Sequence, residues 1–153
     1  MADTRIVKTQ DGIAFEDGDD AGRILVSGTE TGGAYSLMTW RVGPGAPLDD
    51  TTRFGPHLHR ECEETFLVQS GTLEFLLGDT VTKLSTGDFV RVPAGTRHGY
   101  ANISDAPVDL LVSFLPAGLE ELFLKYRTDG DSPITSPGFI ADATQHFASE
   151  FEE

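Results

Sequence analysis

The sequence predicts an all-β domain, and three observations support this. Short runs of apolar and β-branched residues follow one another between residues 23 and 116. Turn residues separate these runs at intervals of about eight to twelve positions, as in antiparallel sandwiches and barrels. Seventeen glycines and eight prolines in 153 residues supply the turns. No glycine-rich phosphate loop and no internal repeat suggests another class.

The strand pattern divides the chain into three parts. Residues 1–22 are polar and acidic, and we expect an N-terminal arm or an edge strand there. Residues 23–116 contain the strand-like runs and predict the β-barrel. Within this part the runs end at turn signals that include Gly32-Gly33, Gly43-Pro44-Gly45, Ser70-Gly71, Gly78-Asp79 and Pro93-Ala94-Gly95.

The hydrophobic period changes in the third part, residues 117–153. In a first segment, residues 118–126, the apolar residues recur at the spacing of a helix; they are Leu119, Leu122, Phe123 and Tyr126. The same spacing relates those of a second segment, which are Ile140, Ala143, Phe147 and Phe151. We therefore expect two short C-terminal helices, the second docking its Ile140, Phe147 and Phe151 face on the barrel. They would plug one end of the barrel or cover the mouth of a pocket.

The charge balance restricts the class of partner. Eleven Lys and Arg against 25 Asp and Glu give a net charge of -14. Because like charges repel, this excludes nucleic acid and anionic membrane surfaces and leaves a small molecule in a pocket. The apolar runs are too short to span a bilayer. A single cysteine, Cys62, and an N-terminus without signal-peptide features predict a cytoplasmic protein.

Three of the four histidines lie in two short motifs. His57 and His59 are two positions apart, so an extended strand would point both to one face, where an imidazole pair suits a transition metal. Glu64 would join them if the polar residues after His59 turn the chain, whereas a continuous strand would place it on the opposite face. His98 begins a strand after the turn at Pro93. Three imidazoles and a carboxylate leave coordination positions open for water, oxygen or substrate.

Both motifs resemble those of the cupin family. The first matches at His57, His59, Glu64 and Gly71, and the second at Gly87, Pro93, Gly95, His98 and Asn102. The family's opening glycine would fall at Thr51, and the nearest glycine is Gly45, which indicates an insertion before His57. The resemblance implies a jelly-roll cupin barrel that holds one divalent transition metal ion (Fe, Ni, Mn, Cu, Co or Zn) on His57, His59, Glu64 and His98.

The resemblance also implies an activity. We predict a metal-dependent oxidoreductase, a quercetinase-like dioxygenase that acts on an aromatic or enolic small molecule. Glu64 would handle the proton, and Tyr100, which shares inward parity with His98, is the second catalytic candidate. The alternatives are a non-redox isomerase, cyclase or decarboxylase at the same site, and a small-molecule-binding cupin without turnover. Cupins often pair through their sheet edges, so a homodimer is expected, formed through edge strands or the polar N-terminal arm.

The remaining polar residues near the motifs have simpler interpretations. Asn102 is expected to hold a turn and not to contact the metal. Solvent-facing or incidental positions are predicted for Arg53, Glu61, Cys62, Glu63, Arg97 and His146.

Overall fold

The computed structural model describes residues 5–8, 10–45, 48, 55–127 and 136–151. The strands in these ranges are β1 (Ile13–Asp17), β2 (Asp20–Val26), β3 (Ser36–Val42), β4 (His57–His59), β5 (Glu63–Ser70), β6 (Thr72–Leu77), β7 (Thr80–Ser85), β8 (Phe89–Val92), β9 (His98–Ala101), β10 (Val108–Leu115) and β11 (Ser149–Phe151). The helices are α1 (Gly28–Thr31), α2 (Glu120–Lys125) and α3 (Pro137–Phe147).

Two antiparallel sheets enclose the core. The larger sheet has the strand order β1-β2-β3-β10-β5-β8, and the smaller one has the order β11-β4-β9-β6-β7. Strands such as β10 bury every second side chain, which is the period expected when one face of a sheet packs on a core. The predicted all-β jelly roll is therefore confirmed. Its two sheets face each other and do not close into one continuous barrel.

Helix α2 and helix α3 extend the core beyond the sheets. Phe123 of α2 packs on Trp40 of β3 and on Phe139 of α3, with ring centroids 6.0 and 5.3 Å apart. Phe139 and Ala143 are the buried residues of α3. The helices are thus part of the same hydrophobic core as the strands.

The predicted second C-terminal helix was wrong at its end, whereas Phe147 and Phe151 of its predicted docking face do pack against the core. The helix stops at Phe147, because Ala148 adopts a left-handed conformation with φ 47°. The chain continues as β11, which takes the free edge of β4. Backbone hydrogen bonds along that edge satisfy groups that another helical turn would have paired, which is why Phe151 lies in a strand. The buried face of α3 centres on Phe139, while Ile140 is only partly buried.

The first part of the chain contributes an edge strand. Strand β1 pairs with β2, and its Phe15 side chain is buried against Trp40. Strand β2 runs across residue 22, so the division of the chain into 1–22, 23–116 and 117–153 stays a prediction. Among the described residues, no helix is long and apolar enough to cross a membrane.

The outer strands of both sheets could form the interface of the expected homodimer, which stays a prediction. The larger sheet ends in β1 and β8, and the smaller one ends in β7 and β11. Unpaired edge strands favour pairing with another chain. We expect light scattering at micromolar concentration to give twice the 16.5 kDa mass of one chain. A mass of one chain over the whole concentration range would contradict this expectation.

Candidate metal centre

Strand β4 and the turn after it place three of the four predicted ligands. His57 and His59 point inward from β4, and the Leu58 side chain between them is only partly buried. The chain then turns over residues 60–62, and β5 begins at residue 63. Glu64 consequently faces inward together with Phe66. The turn that the sequence interpretation required is present.

Strand β9 brings the fourth residue to the same place. His98 pairs in register with His57 of β4. One ligand atom from each of His57, His59, Glu64 and His98 lies within 4.8 Å of the others. Glu64 Oε2 lies 3.0 Å from His98 Nε2 and 3.5 Å from His59 Nε2. All four side chains are buried, and His98 is only 1% exposed.

The second ring nitrogen of each imidazole is held from outside the cluster. Nδ1 of His57 lies 2.9 Å from the carbonyl oxygen of Gly55, and Nδ1 of His98 lies 3.0 Å from that of Thr96. A carbonyl oxygen only accepts hydrogen bonds, so Nδ1 carries a proton in both rings and Nε2 is the nitrogen directed at the cluster. Nδ1 of His59 lies 2.7 Å from Ser149 Oγ.

Burial and mutual contact set the charges of the cluster. Burial alone would raise the pKa of Glu64, but hydrogen bonds from His59 and His98 lower that pKa to about 2. Burial, together with the neighbouring imidazoles, lowers the pKa of His57 to about 3. Burial opposes protonation of His98, but the hydrogen bond and charge of Glu64 raise its pKa. An anionic carboxylate among imidazoles, one of them neutral, is a donor set that fits a divalent transition metal.

Two glycines of the motifs have backbone conformations that favour glycine. Gly95 has φ 77°, and its N–H donates a hydrogen bond of 2.7 Å to the carbonyl oxygen of His59. This bond ties the turn before His98 to the strand that carries the other two histidines. Gly71 has φ 94°, and a Cβ atom there would lie 2.9 Å from the side chain of Val108. Both positions favour a residue without a side chain.

Asn102, the last residue of the second motif, holds a turn and stays away from the cluster. It is fully buried, and its side-chain amide donates to the carbonyl oxygens of Val42 and Ala106. Its Oδ1 accepts the N–H of Ser104.

Three of the four clustered residues border a small cavity. Its volume is about 30 Å³, and three of its lining residues are His57, His59 and Glu64. The rest of the lining is apolar or aromatic and includes Met38, Trp40, Phe66, Tyr100, Phe114 and Phe123, with Phe139, Ala143 and Phe151 from the C-terminal segment. A space of this size holds no more than a few water molecules, so a larger molecule enters only when part of the wall moves.

Two polar groups in the cavity wall lie among the aromatic rings. Tyr100 packs against Phe66, with ring centroids 5.6 Å apart, and burial raises the pKa of its hydroxyl well above the usual value. Trp40 is 2% exposed, and its indole interacts with the Tyr100 hydroxyl without forming a well-aligned hydrogen bond among the described residues. The sequence interpretation singled out Tyr100 and missed Trp40, because Trp40 belongs to no motif and its strand has the ordinary period of a core strand.

The polar residues near the motifs do not enter the cavity. Glu63 points outward and forms an ion pair with Arg91 at 2.7 Å, and Glu61 is exposed. Burial and nearby glutamates raise the pKa of the Cys62 thiol to about 12, so this thiol stays protonated and unreactive. His146 is largely exposed on α3, and its imidazole lies 4.0 Å from Asp142.

The sequence predicted surface positions for two arginines, and the structure describes one of them. Arg97 donates a hydrogen bond of 3.0 Å to the carbonyl oxygen of Gly78, at the turn between β6 and β7. Arg53, together with most of the insertion before His57, lies outside the described residues.

The comparisons with known sequences support one family. A family model described as a cupin domain matches residues 40–114. The chain is 27% identical over 95 residues to quercetin 2,3-dioxygenase from Bacillus subtilis, a match that covers 62% of this chain and 26% of that protein. It is 40% identical over 62 residues to an uncharacterized protein from Aquifex aeolicus, covering 40% and 50% of the two chains. The chain thus spans half or less of the length of these curated relatives.

The solved structures that resemble this fold differ in their activities. KdgF from a Halomonas species superposes with a TM-score of 0.65 at 17% identity, over 78% of this chain and all of that one. A predicted oxalate decarboxylase from Thermotoga maritima gives 0.63 at 15% identity, over 73% and 99% of the chains. The polyketide cyclase RemF from Streptomyces resistomycificus gives 0.59 at 21% identity, over 73% and 79%. At these identities the resemblance shows a shared fold alone.

Proposed function

Because the chain belongs to the cupin superfamily, we propose that it is a metal-dependent oxidoreductase of the quercetinase-like dioxygenase type. Its substrate would be an aromatic or enolic small molecule. The observation that carries the proposal is a buried group of three imidazoles and one carboxylate, of which two imidazoles and the carboxylate line a small, largely aromatic cavity. The similarity to quercetin 2,3-dioxygenase over 95 residues supports the same reaction class.

The metal would be held by His57, His59, Glu64 and His98. Iron, nickel, manganese, copper, cobalt and zinc all accept this combination of imidazole nitrogen and carboxylate oxygen. When bound, such an ion supplies Lewis acidity that lowers the pKa of a substrate enol or phenol.

The residues of the chain would bind the substrate, move its proton and exclude water. The carboxylate of Glu64 would accept the proton of the substrate hydroxyl at an oxygen atom, because it is the carboxylate that lines the cavity. The Trp40 N–H and the Tyr100 hydroxyl can donate hydrogen bonds to other substrate oxygens, while the surrounding rings stack on an aromatic body. The enclosed wall keeps bulk water away from the reactive carbanion-like substrate.

In the proposed reaction both atoms of dioxygen enter the product. The substrate supplies all the electrons that reduce dioxygen, so no external reductant is needed. The test is oxygen uptake by the metal-loaded protein with a panel of flavonols and diketones. We expect one dioxygen consumed per substrate lost, and both atoms of labelled dioxygen recovered in the products.

A non-redox reaction at the same site is the second candidate. The solved structures of this fold include a polyketide cyclase and a predicted oxalate decarboxylase, and the same donor set would serve as a Lewis acid for isomerisation, cyclisation or decarboxylation. The two candidates differ in their need for oxygen. Equal loss of substrate in anaerobic buffer would contradict the dioxygenase and favour this candidate. Binding without any turnover would contradict both and favour a ligand-binding cupin.

The substitution Glu64→Gln tests the role of the carboxylate. We expect turnover to fall by about 10²–10⁴-fold, because an amide oxygen is a poor proton acceptor. Bound metal should fall much less, because three imidazoles and the amide oxygen remain as donors. Turnover measured on the same sample as the metal content separates these two effects.

The matched control for this substitution is Glu63→Gln. Glu63 adjoins Glu64 in β5 but points outward to Arg91, so its replacement should leave turnover and metal content unchanged. If Glu63→Gln abolishes turnover while Glu64→Gln retains it, the proton acceptor has been assigned to the wrong glutamate.

A further inference from the structure

The C-terminal strand β11 pairs with the strand that carries two of the proposed metal ligands. Ser149 lies opposite His59, and Phe151 lies opposite His57. Ser149 is 1% exposed, and its hydroxyl oxygen lies 2.7 Å from His59 Nδ1. The Phe151 ring stacks on the His57 imidazole with centroids 5.8 Å apart. A segment about ninety residues away in sequence therefore contacts both histidines of the first motif.

The partner of His59 differs in kind from the partners of the other two histidines. Backbone carbonyl oxygens hold Nδ1 of His57 and of His98, and they can only accept a hydrogen bond. A serine hydroxyl can accept or donate, so backbone geometry does not fix the tautomer of His59. Within the described residues, the second nitrogen of His59 contacts a side chain that comes from the C-terminal segment.

We propose that Ser149 is a positioning residue for the metal centre. With Nε2 of His59 serving as the metal ligand, Nδ1 would carry the proton and Ser149 Oγ would accept it, which holds the ring in the orientation that directs Nε2 to the metal. The inference rests on the metal-binding part of the proposed function and is independent of the reaction with oxygen. It assigns to this chain's C-terminal strand a part in assembling the metal centre.

The docking of β11 supports this role. The Arg60 N–H donates a hydrogen bond of 3.0 Å to the carbonyl oxygen of Ala148, immediately before Ser149. The Arg60 guanidinium also forms an ion pair with Glu150. These contacts join the residue that follows His59 to the two residues that flank Ser149, so the register of β11 determines where the hydroxyl meets the imidazole.

The test is the affinity of the full-length protein for Zn²⁺ and Co²⁺, measured by competition with a chelator. Ser149→Ala should lower the affinity for both metals by about 10–100-fold, the usual effect of losing a hydrogen-bond partner of a ligating histidine. Ser149→Thr, which keeps the hydroxyl, should restore most of the affinity. The d–d absorption spectrum of the Co²⁺ protein should change in Ser149→Ala and return towards the original in Ser149→Thr, because it reports the orientation of the ligands.

The matched control is Ser36→Ala. Ser36 is also 1% exposed in a strand, and its hydroxyl has no hydrogen-bond partner among the described residues. The same substitution there should leave metal affinity and the Co²⁺ spectrum unchanged. Should Ser149→Ala fail to fold, Ser149→Val replaces it, because valine has nearly the shape of the threonine variant and lacks the hydroxyl.

Two results would overturn the inference. One is a folded Ser149→Ala or Ser149→Val protein with unchanged affinity and spectrum. The other is an equal loss of affinity in Ser36→Ala, which would indicate general loosening. If Ser149→Ala binds metal more weakly and the wild-type protein consumes no oxygen, the positioning role of Ser149 is supported and the dioxygenase activity is contradicted. If the wild-type protein binds neither metal, the metal centre and this inference are both wrong.

Discussion

Replacing His98 by alanine is expected to remove bound metal almost completely while both sheets stay folded. His98 is the most deeply buried of the four clustered residues, and its Nε2 faces Glu64 at 3.0 Å. The substitution deletes a donor atom outright, so affinity should fall by more than the roughly 100-fold that follows loss of an outer hydrogen bond. His57→Ala and His59→Ala should act in the same direction. Elemental analysis of protein purified without chelator or nickel-affinity chromatography measures the loss.

His146→Ala is the matched control for these substitutions. His146 is largely exposed on α3, so its loss should leave the metal content unchanged. Circular dichroism should show that each variant keeps its strands, because the core is built mainly by apolar residues of both sheets and the helices. Full metal occupancy in any two of the three ligand variants would contradict the ligand assignment.

Local spacing explains why the candidate centre could be predicted from the sequence. Two residues separated by one position in a strand share a face, and this places His57 beside His59 without knowledge of the rest of the fold. The turn before His98 needs a residue with positive φ, and Gly95 provides it. Glu64 could be placed only on the condition that the chain turns after His59, and the structure fulfils that condition.

Long-range pairing explains what the sequence analysis missed. The helical spacing of the apolar residues continues from Ile140 to Phe151, and nothing nearby in sequence indicates that the edge of β4 is free to pair with β11. The contact between Ser149 and His59 depends on that pairing, so no local pattern contains it. Trp40 was missed for the same reason. Its place in the cavity wall depends on helix α2 and strand β9, which come many residues later in the chain.

The structure also separates two roles that the sequence left as alternatives for the C-terminal segment. Helix α3 contributes Phe139 and Ala143 to the main hydrophobic core, which is a structural role. Strand β11 contributes Ser149 and Phe151 to the surroundings of the two histidines. Both elements line the cavity, so the segment as a whole is in a position to control entry. Variants that affect one element at a time can therefore distinguish the two roles.

Phe139→Ala is expected to destabilise the whole domain. Phe139 is 1% exposed and packs on Phe123 and Tyr126, and removing a buried phenylalanine ring costs about 3–5 kcal/mol of the free energy of unfolding. Metal affinity should change little at temperatures where the variant is folded, because Phe139 supplies no ligand atom. Chemical denaturation followed by circular dichroism gives the free energy, and chelator competition gives the affinity.

A chain that ends at Ala148 should show the opposite result. It lacks residues 149–153, whose described part is a three-residue edge strand with the buried Ser149 and one half-buried ring, so its free energy of unfolding should fall by less than that of Phe139→Ala. Its metal affinity should fall at least as far as in Ser149→Ala, because His59 loses its hydrogen bond and His57 loses the covering Phe151 ring. If the shortened chain instead keeps full metal affinity, β11 has no part in the metal centre. If it unfolds as readily as Phe139→Ala, the strand is a structural element like the helix, and the separation of roles is wrong.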